Sequence, residues 1–202
     1  EWVTNPKNYY SAYNCSSPVI DSWDTMAQVL NQGMMGTGTG AVLERFYLDN
    51  LPPIINSLSL SYVGDLGSLF LLDQYQENTS LSFNSHSNSW TLIVGDSRQG
   101  WVDAYKAILE LASQESIEDR TKNRKVEIDL RYIRPAGYKL KGFGGIANPI
   151  KLQWMFDSIS RILNRAIGRQ LNTEEVCLII DIGACCYIAG NIRRSAGIRQ
   201  FD

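Results

Sequence analysis

Val126-Glu127-Ile128-Asp129-Leu130, Arg134-Pro135-Ala136-Gly137, Lys139-Leu140-Lys141-Gly142-Phe143-Gly144-Gly145 and Asn148-Pro149 follow one another in an order that decides the fold class. The first alternates apolar and charged residues with period two, as a half-buried strand does. The second is a turn, and the third a basic, glycine-rich loop. Asn148-Pro149 opens a helix in the favoured way, because a proline in the first turn sacrifices no helical hydrogen bond. Leu152, Met155, Phe156, Ile159, Ile162 and Leu163 then recur at helical spacing. Asn172-Thr173-Glu174-Glu175 caps a second helix from Val176 to about Ala189, whose almost wholly apolar composition predicts deep burial. Gly190-Asn191 ends it, and Arg193-Arg194 precede a last short strand. Strands alternating with helices predict an α/β architecture with mostly parallel strands.

Upstream, aromatic-rich Asn8 to Ser16 reads as a strand stopped at Pro18. Asp21-Ser22 caps a helix from Trp23 to about Met35, with Trp23, Met26, Ala27, Leu30 and Met34 on one face. It ends in the turn Gly36-Thr37-Gly38-Thr39-Gly40. Order is harder to read over residues 41–128. Leu51-Pro52-Pro53 breaks the chain, Ser57 to Ser61 alternates, and Asn78 to Ser89 is polar with few anchors. Trp90 to Val94 reads as a strand, Trp101 to Ser113 as an amphipathic helix, and Glu115 to Lys125 as a charged solvent loop. No internal repeat is evident.

The 202 residues are 44% hydrophobic, enough for a core. No apolar run is long enough for a membrane span, and the N-terminus lacks the pattern of a signal peptide. Without an initiator Met, and with Arg199 to Asp202 reading as strand, both ends look cut. Cys15, Cys177, Cys185 and Cys186 form no Cys-x-x-Cys pair and His86 is the single histidine, so no metal site is expected. Three cysteines lie on one apolar segment and are expected reduced and buried in a cytoplasmic protein. The glycosylation-like triplets at Asn14 and Asn78 then carry no meaning. The net charge of −2 conceals an asymmetry: residues 1–119 carry 4 basic against 14 acidic side chains, residues 120–202 carry 15 against 7. A basic half fits an anionic ligand such as a nucleotide phosphate, and equally a solvated basic surface. Nothing points to nucleic acid or membrane as a partner.

Four constellations bear on chemistry. Gly36 to Gly40 lets backbone approach a ligand and expose N–H groups to phosphate or sugar oxygens; a plain tight turn reads the same. No Lys-Ser/Thr follows it, which excludes a P-loop. The string also resembles the phosphate loop of tubulin-like GTPases, but over these five residues alone. Lys139 to Gly145 puts lysines beside a helix start, as an anion site would. Gly190 to Ser195 delivers Arg193 and Arg194, which suit phosphates and bases or, more simply, neighbouring carboxylates. Cys15, beside Asn14 near a strand end, reads alone more often as a small buried hydrophobe than as a redox thiol.

Together these segments resemble ribonucleotide reductase catalytic subunits, specifically the monomeric, adenosylcobalamin-dependent (class II) ribonucleoside-triphosphate reductases. The most specific stretches are Ile133 to Gly137 through Gly142 to Gly145, and Ala189-Gly190-Asn191-Ile192-Arg193-Arg194-Ser195-Ala196. Gly95-Asp96-Ser97-Arg98-Gln99-Gly100-Trp101 resembles a motif of that subgroup's insertion, and Asn14-Cys15 with Gly36 to Gly40 its first barrel strand and following turn. The resemblance covers nearly the whole chain and is weakest over residues 41–128.

The resemblance implies a ten-stranded α/β barrel, of which residues 1–202 hold about the first half, with 41–128 an insertion forming part of the effector site. Such a half barrel is expected to be unstable alone. Cys15 looks like one of two cysteines that reduce the ribose 2′ carbon and finish as a disulfide. Asn14, Ser16, Thr37, Gly38 and Thr39 fall where substrate is held. Arg131, Arg134, Lys139, Lys141, Gly144 and Gly145 match a first loop binding a deoxynucleotide (dNTP) effector, and Asn191, Arg193, Arg194 and Ser195 a second. The implied reaction converts ribonucleoside triphosphates to 2′-deoxyribonucleotides through a thiyl radical, under allosteric specificity control. The implied partners are adenosylcobalamin, bound mainly outside this chain, the remaining reductase polypeptide and a thioredoxin-like reductant. One departure is large: the Asn-x-Cys-x-Glu loop with the radical cysteine is absent, as are the second reducing cysteine and the C-terminal shuttle pair, so this chain alone is expected to be inactive. A reductase with another radical generator, and a non-catalytic nucleotide-binding module, stay open as alternatives.

Overall fold

The computed structural model describes residues 6, 13, 15–119, 121–138, 149–186 and 197–201. Its first sheet is parallel. Strand β1 (Cys15–Ser16) pairs with β2 (Gly38–Thr39), and β3 (Ala41–Val42) pairs with β8 (Arg199–Gln200). Only Gly40 separates β2 from β3, so residues 38–42 form one kinked strand with β1 on one side and β8 on the other. The kink needs glycine: a Cβ at position 40 would lie 2.7 Å from Ser17 Oγ. Helix α1 (Trp23–Met34) makes the crossover from β1 to β2, started by a capping box between Ser22 and Thr25. Of its expected face, Trp23, Met26, Ala27 and Leu30 are buried and Met34 half-buried. A short helix α2 (Arg45–Leu48) follows β3.

The second sheet has the order β4-β7-β6-β5, formed by β4 (Ser57–Val63), β5 (Ser80–Asn84), β6 (Ser89–Ile93) and β7 (Asn123–Asp129). β4, β7 and β6 are parallel, and β5 is antiparallel to β6. Helix α3 (Arg98–Ser113) links β6 to β7, and α4 (Ile150–Arg165) and α5 (Thr173–Ala184) lead back to β8. One apolar core joins the layers: Leu58, Leu92 and Val126 of the sheet, Tyr105 and Ile108 of α3, Met155 and Phe156 of α4, and Trp23 of α1. Trp23 Nε1 donates to Ser113 Oγ at 2.8 Å, tying α1 to α3. The Asn164 side chain accepts from the Leu58 N–H at 2.8 Å and donates to its carbonyl at 2.9 Å, fastening α4 to β4.

Three expectations change. The polar stretch from Asn78 contains β5, in which Leu81 and Phe83 share one face and Phe83 packs against Trp90 of its partner β6. The charged segment after Glu115 is only partly solvated. Arg124 is 2% exposed and its guanidinium donates to the Leu111 and Gln114 carbonyls, so it caps the C-terminus of α3. Deep burial of α5 holds for Val176, Ile179, Ile180 and Gly183 alone, because Leu178 is 52% exposed. The cysteines follow suit: Cys186 is buried and Cys177 half-buried, whereas Cys15 and Cys185 are exposed, and all four are free thiols.

The α5 cap carries a pH-dependent contribution. Arg169 donates two hydrogen bonds of 2.7 Å to the Glu175 carboxylate. That guanidinium holds the Glu175 carboxyl below its ordinary range. A depressed folded value means stabilisation that is present above the ordinary glutamate pKa of about 4.3 and lost as pH falls through the folded value. Thermal melts of wild type and Glu175→Gln should therefore differ at neutral pH, and the difference should shrink below the ordinary value and vanish as pH falls through the lower folded value.

Candidate substrate and effector sites

The candidate substrate turn, residues 36–40, is built by the end of α1. Gly36 adopts φ +81°, a left-handed conformation that favours glycine. The Thr37 N–H donates to the Gln32 carbonyl at 3.2 Å. Thr37 and Thr39 are buried, and Thr39 Oγ1 donates to the Thr37 carbonyl at 3.0 Å. In register, Cys15 stands beside Gly38 and Ser16 beside Thr39. Ser16 Oγ donates to Oε1 of buried Gln32 at 2.6 Å. The fold thus gathers Cys15, Ser16, Thr37, Gly38 and Thr39 at one place, with an exposed thiol beside a backbone turn. Asn14 lies outside the described residues.

On the far side of this turn stands a residue that sequence reading missed. Arg199 of β8 donates from Nη1 to the Thr39 carbonyl at 3.2 Å and from Nη2 to Asp181 Oδ1 at 2.6 Å. No local signal marks it, since the partners lie on β2 and α5.

The two described arginines of the candidate effector loop, Arg131 and Arg134, are paired. Arg131 donates to both Asp129 oxygens, at 3.0 and 2.7 Å. Arg134 reaches back to Asp96: its N–H and Nε donate to Oδ1 at 3.1 and 2.9 Å, and Nη2 lies 2.9 Å from Oδ2. Its guanidinium also sits 5.8 Å from the centre of the Tyr138 ring, which meets Phe70 edge-on. Lys139, Lys141, Gly144, Gly145, Asn191, Arg193, Arg194 and Ser195 lie outside the described residues.

Asp96 belongs to the Gly95 to Trp101 stretch, whose glycines now have a physical reason. A Cβ at Gly95 would overlap the Glu77 carbonyl, and one at Gly100 would lie 2.6 Å from the Gly95 oxygen. Thr79 Oγ1 locks the pair, accepting from the Gly95 N–H at 2.9 Å and donating to the Gly100 carbonyl at 2.6 Å. Ser97 caps α3. The stretch is a closely packed node that presents Asp96 to Arg134.

The vicinal thiols sit in unlike settings, Cys185 exposed and Cys186 buried. Burial pushes the Cys186 thiol up to about 12, and its Sγ donates to the Lys151 carbonyl at 3.3 Å. Among the described residues no group of three or more His, Cys, Asp or Glu side chains could hold a metal ion. No helix among them is long and apolar enough to cross a membrane.

Comparison with known proteins bears on the family and the fold. Residues 71–163 match the family described as B12-dependent ribonucleotide reductase, insertion domain. An adenosylcobalamin-dependent ribonucleoside-triphosphate reductase of Levilactobacillus brevis is 30% identical over 195 residues, covering 89% of this chain and 26% of that protein. The reductase of the same name from Lactobacillus helveticus is 28% identical over 180 residues, covering 83% and 23%. The crystal structure of a B12-dependent (class II) ribonucleotide reductase shares the fold with a TM-score of 0.71 at 20% identity, over 94% of this chain and 28% of that one. The mixed α/β architecture is that of part of this reductase fold, and the chain spans about a quarter of the length of the curated relatives it matches. Insertion-domain match, relatives and fold agree: the chain belongs to the B12-dependent, class II ribonucleotide reductases.

Proposed function

We propose that this chain supplies the substrate turn, one reducing thiol and part of the effector site of an enzyme that converts ribonucleoside triphosphates to 2′-deoxyribonucleotides. The observation that carries the reading is the register of exposed Cys15 against Gly38, beside the buried Thr37 and Thr39. Backbone groups of a glycine turn suit ribose and phosphate oxygens. In the proposed reaction the 2′ hydroxyl leaves as water. The two electrons and the hydrogen that replaces it come from the Cys15 thiol and a second thiol outside this chain, which end as a disulfide. A thioredoxin-like dithiol then reduces that disulfide.

The cleft at the end of α3, lined by Asn56, Ser116, Asp119, Thr121 and Arg124, encloses about 330 Å³ and is polar, a small-ligand volume rather than that of a corrinoid. The family resemblance implies that adenosylcobalamin, which would start the radical, is bound mainly by other parts of the reductase. Residues 41–128 are proposed to form part of the dNTP site, with Arg131 and Arg134 holding its wall through Asp129 and Asp96; the insertion-domain match supports an insertion in this part of the chain.

The test is nucleoside-triphosphate reduction by the full-length protein with and without adenosylcobalamin. Product that needs the cofactor is expected. Equal turnover without it would put a different radical generator in its place, and no turnover at all would favour a nucleotide-binding module.

A further inference from the structure

We infer that Arg199 is a positioning residue that clamps the substrate turn to helix α5, setting where Thr37 to Thr39 meet the nucleotide. The inference rests on the functional reading above and names a residue that reading does not use.

The turn is held from two sides. On the β1 side, Ser16 and the buried Gln32 fix it through a 2.6 Å hydrogen bond and the Thr37 N–H. On the β8 side the ladder runs through the Ala41 N–H, which donates to the Ile198 carbonyl at 2.9 Å. The next carbonyl toward the turn is that of Thr39, and it is met by a side chain: Arg199 Nη1, at 3.2 Å. The same guanidinium reaches Asp181 on α5 at 2.6 Å. A fork of fixed shape can serve both acceptors at once, which a lysine ammonium on a flexible stem does less well.

Two neighbours are shaped for this fork. A Cβ at Gly197 would lie 3.0 Å from Nη1 and 3.1 Å from Nη2, so a bare glycine leaves the guanidinium its place. The Arg199 side chain is only 11% exposed, so its guanidinium is largely enclosed, while the Asp181 carboxylate it meets stays open to solvent. Asp181 also accepts from the Cys177 thiol, 3.7 Å away on the same helix. Substrate turn, last strand and α5 are thus joined by one cation at the strand edge, and shifting it moves the Thr39 carbonyl and the backbone of the turn.

The test uses the full-length protein as wild type, Arg199→Leu, Arg199→Lys and Gly197→Ala. Steady-state reduction of a ribonucleoside triphosphate is measured with adenosylcobalamin, together with amide hydrogen exchange over residues 37–43. Arg199→Leu is expected to raise KM about tenfold, the loss typical of one charge-assisted hydrogen bond, with kcat within about threefold. Exchange at Thr39 to Val42 should quicken. Arg199→Lys should recover part of the KM, and Gly197→Ala should shift KM in the same direction as Arg199→Leu. An unchanged KM in Arg199→Leu, or a fall in kcat alone that follows a lowered melting temperature, would overturn the inference while leaving the functional reading intact. Absence of turnover in the wild type would overturn that reading, and the role of Arg199 with it.

Discussion

Cys15→Ser in the full-length protein is expected to lower ribonucleotide reduction by roughly a thousandfold or more, the scale seen when a group that forms or breaks a bond is removed. A serine hydroxyl cannot give up electrons to form a disulfide, so the 2′ carbon would lack its reductant. The loss should not come from unfolding. Cys15 is exposed on a two-residue strand, and substitutions at exposed sites change stability by about 0.5 kcal/mol or less. Its partner in the register, Gly38, meets it through backbone that the change leaves alone. Cys185→Ser is the matched control, since Cys185 is also exposed but sits at the end of α5. Turnover assays should find it close to wild type. Comparable activity in both variants would remove Cys15 from the chemistry.

Asp96→Ala carries the largest expected cost in stability, about 3 kcal/mol, the scale for losing one partner of a buried ion pair. The Asp96 side chain is 1% exposed and receives the Arg134 N–H, Nε and Nη2. Removing it strands a guanidinium that is itself only 21% exposed. It also frees the Arg134 to Tyr138 segment that leads into the candidate effector loop, so the response of substrate preference to dNTPs should fade with it. Asp96→Asn keeps an acceptor and should cost about half as much. Denaturant unfolding of the three proteins, read beside the dNTP response, checks both parts. Stability within about 0.5 kcal/mol of wild type in Asp96→Ala would show that the node bears little of the fold.

What was legible in the sequence was what local pattern decides. Helices α1, α3 and α4 follow from apolar spacing, and Ser22 and Asn172 mark helix starts by their own chemistry. The parallel ladder follows from strands separated by helices. What escaped reading depends on partners far along the chain. β5 is disguised by its serines and asparagine: Leu81 and Phe83 share one face, and Phe83 packs against Trp90 of β6. Arg124 is buried in a charged stretch because the carbonyls ending α3 need donors. Arg134 finds its acid 38 residues upstream. Of the candidate site, Cys15 and the glycine turn were visible as residues. Their adjacency was carried by the family resemblance, and Arg199 by neither.

Cys15 is proposed to supply reducing equivalents to a bound ribonucleotide. The most direct test is a single turnover of the full-length, prereduced protein with a ribonucleoside triphosphate and adenosylcobalamin and no external reductant, followed by alkylation and mass mapping. The account predicts that Cys15 escapes alkylation, held in a disulfide, in proportion to the deoxynucleotide formed, while Cys185 remains open to the reagent. Deoxynucleotide formed with Cys15 fully alkylated would contradict it.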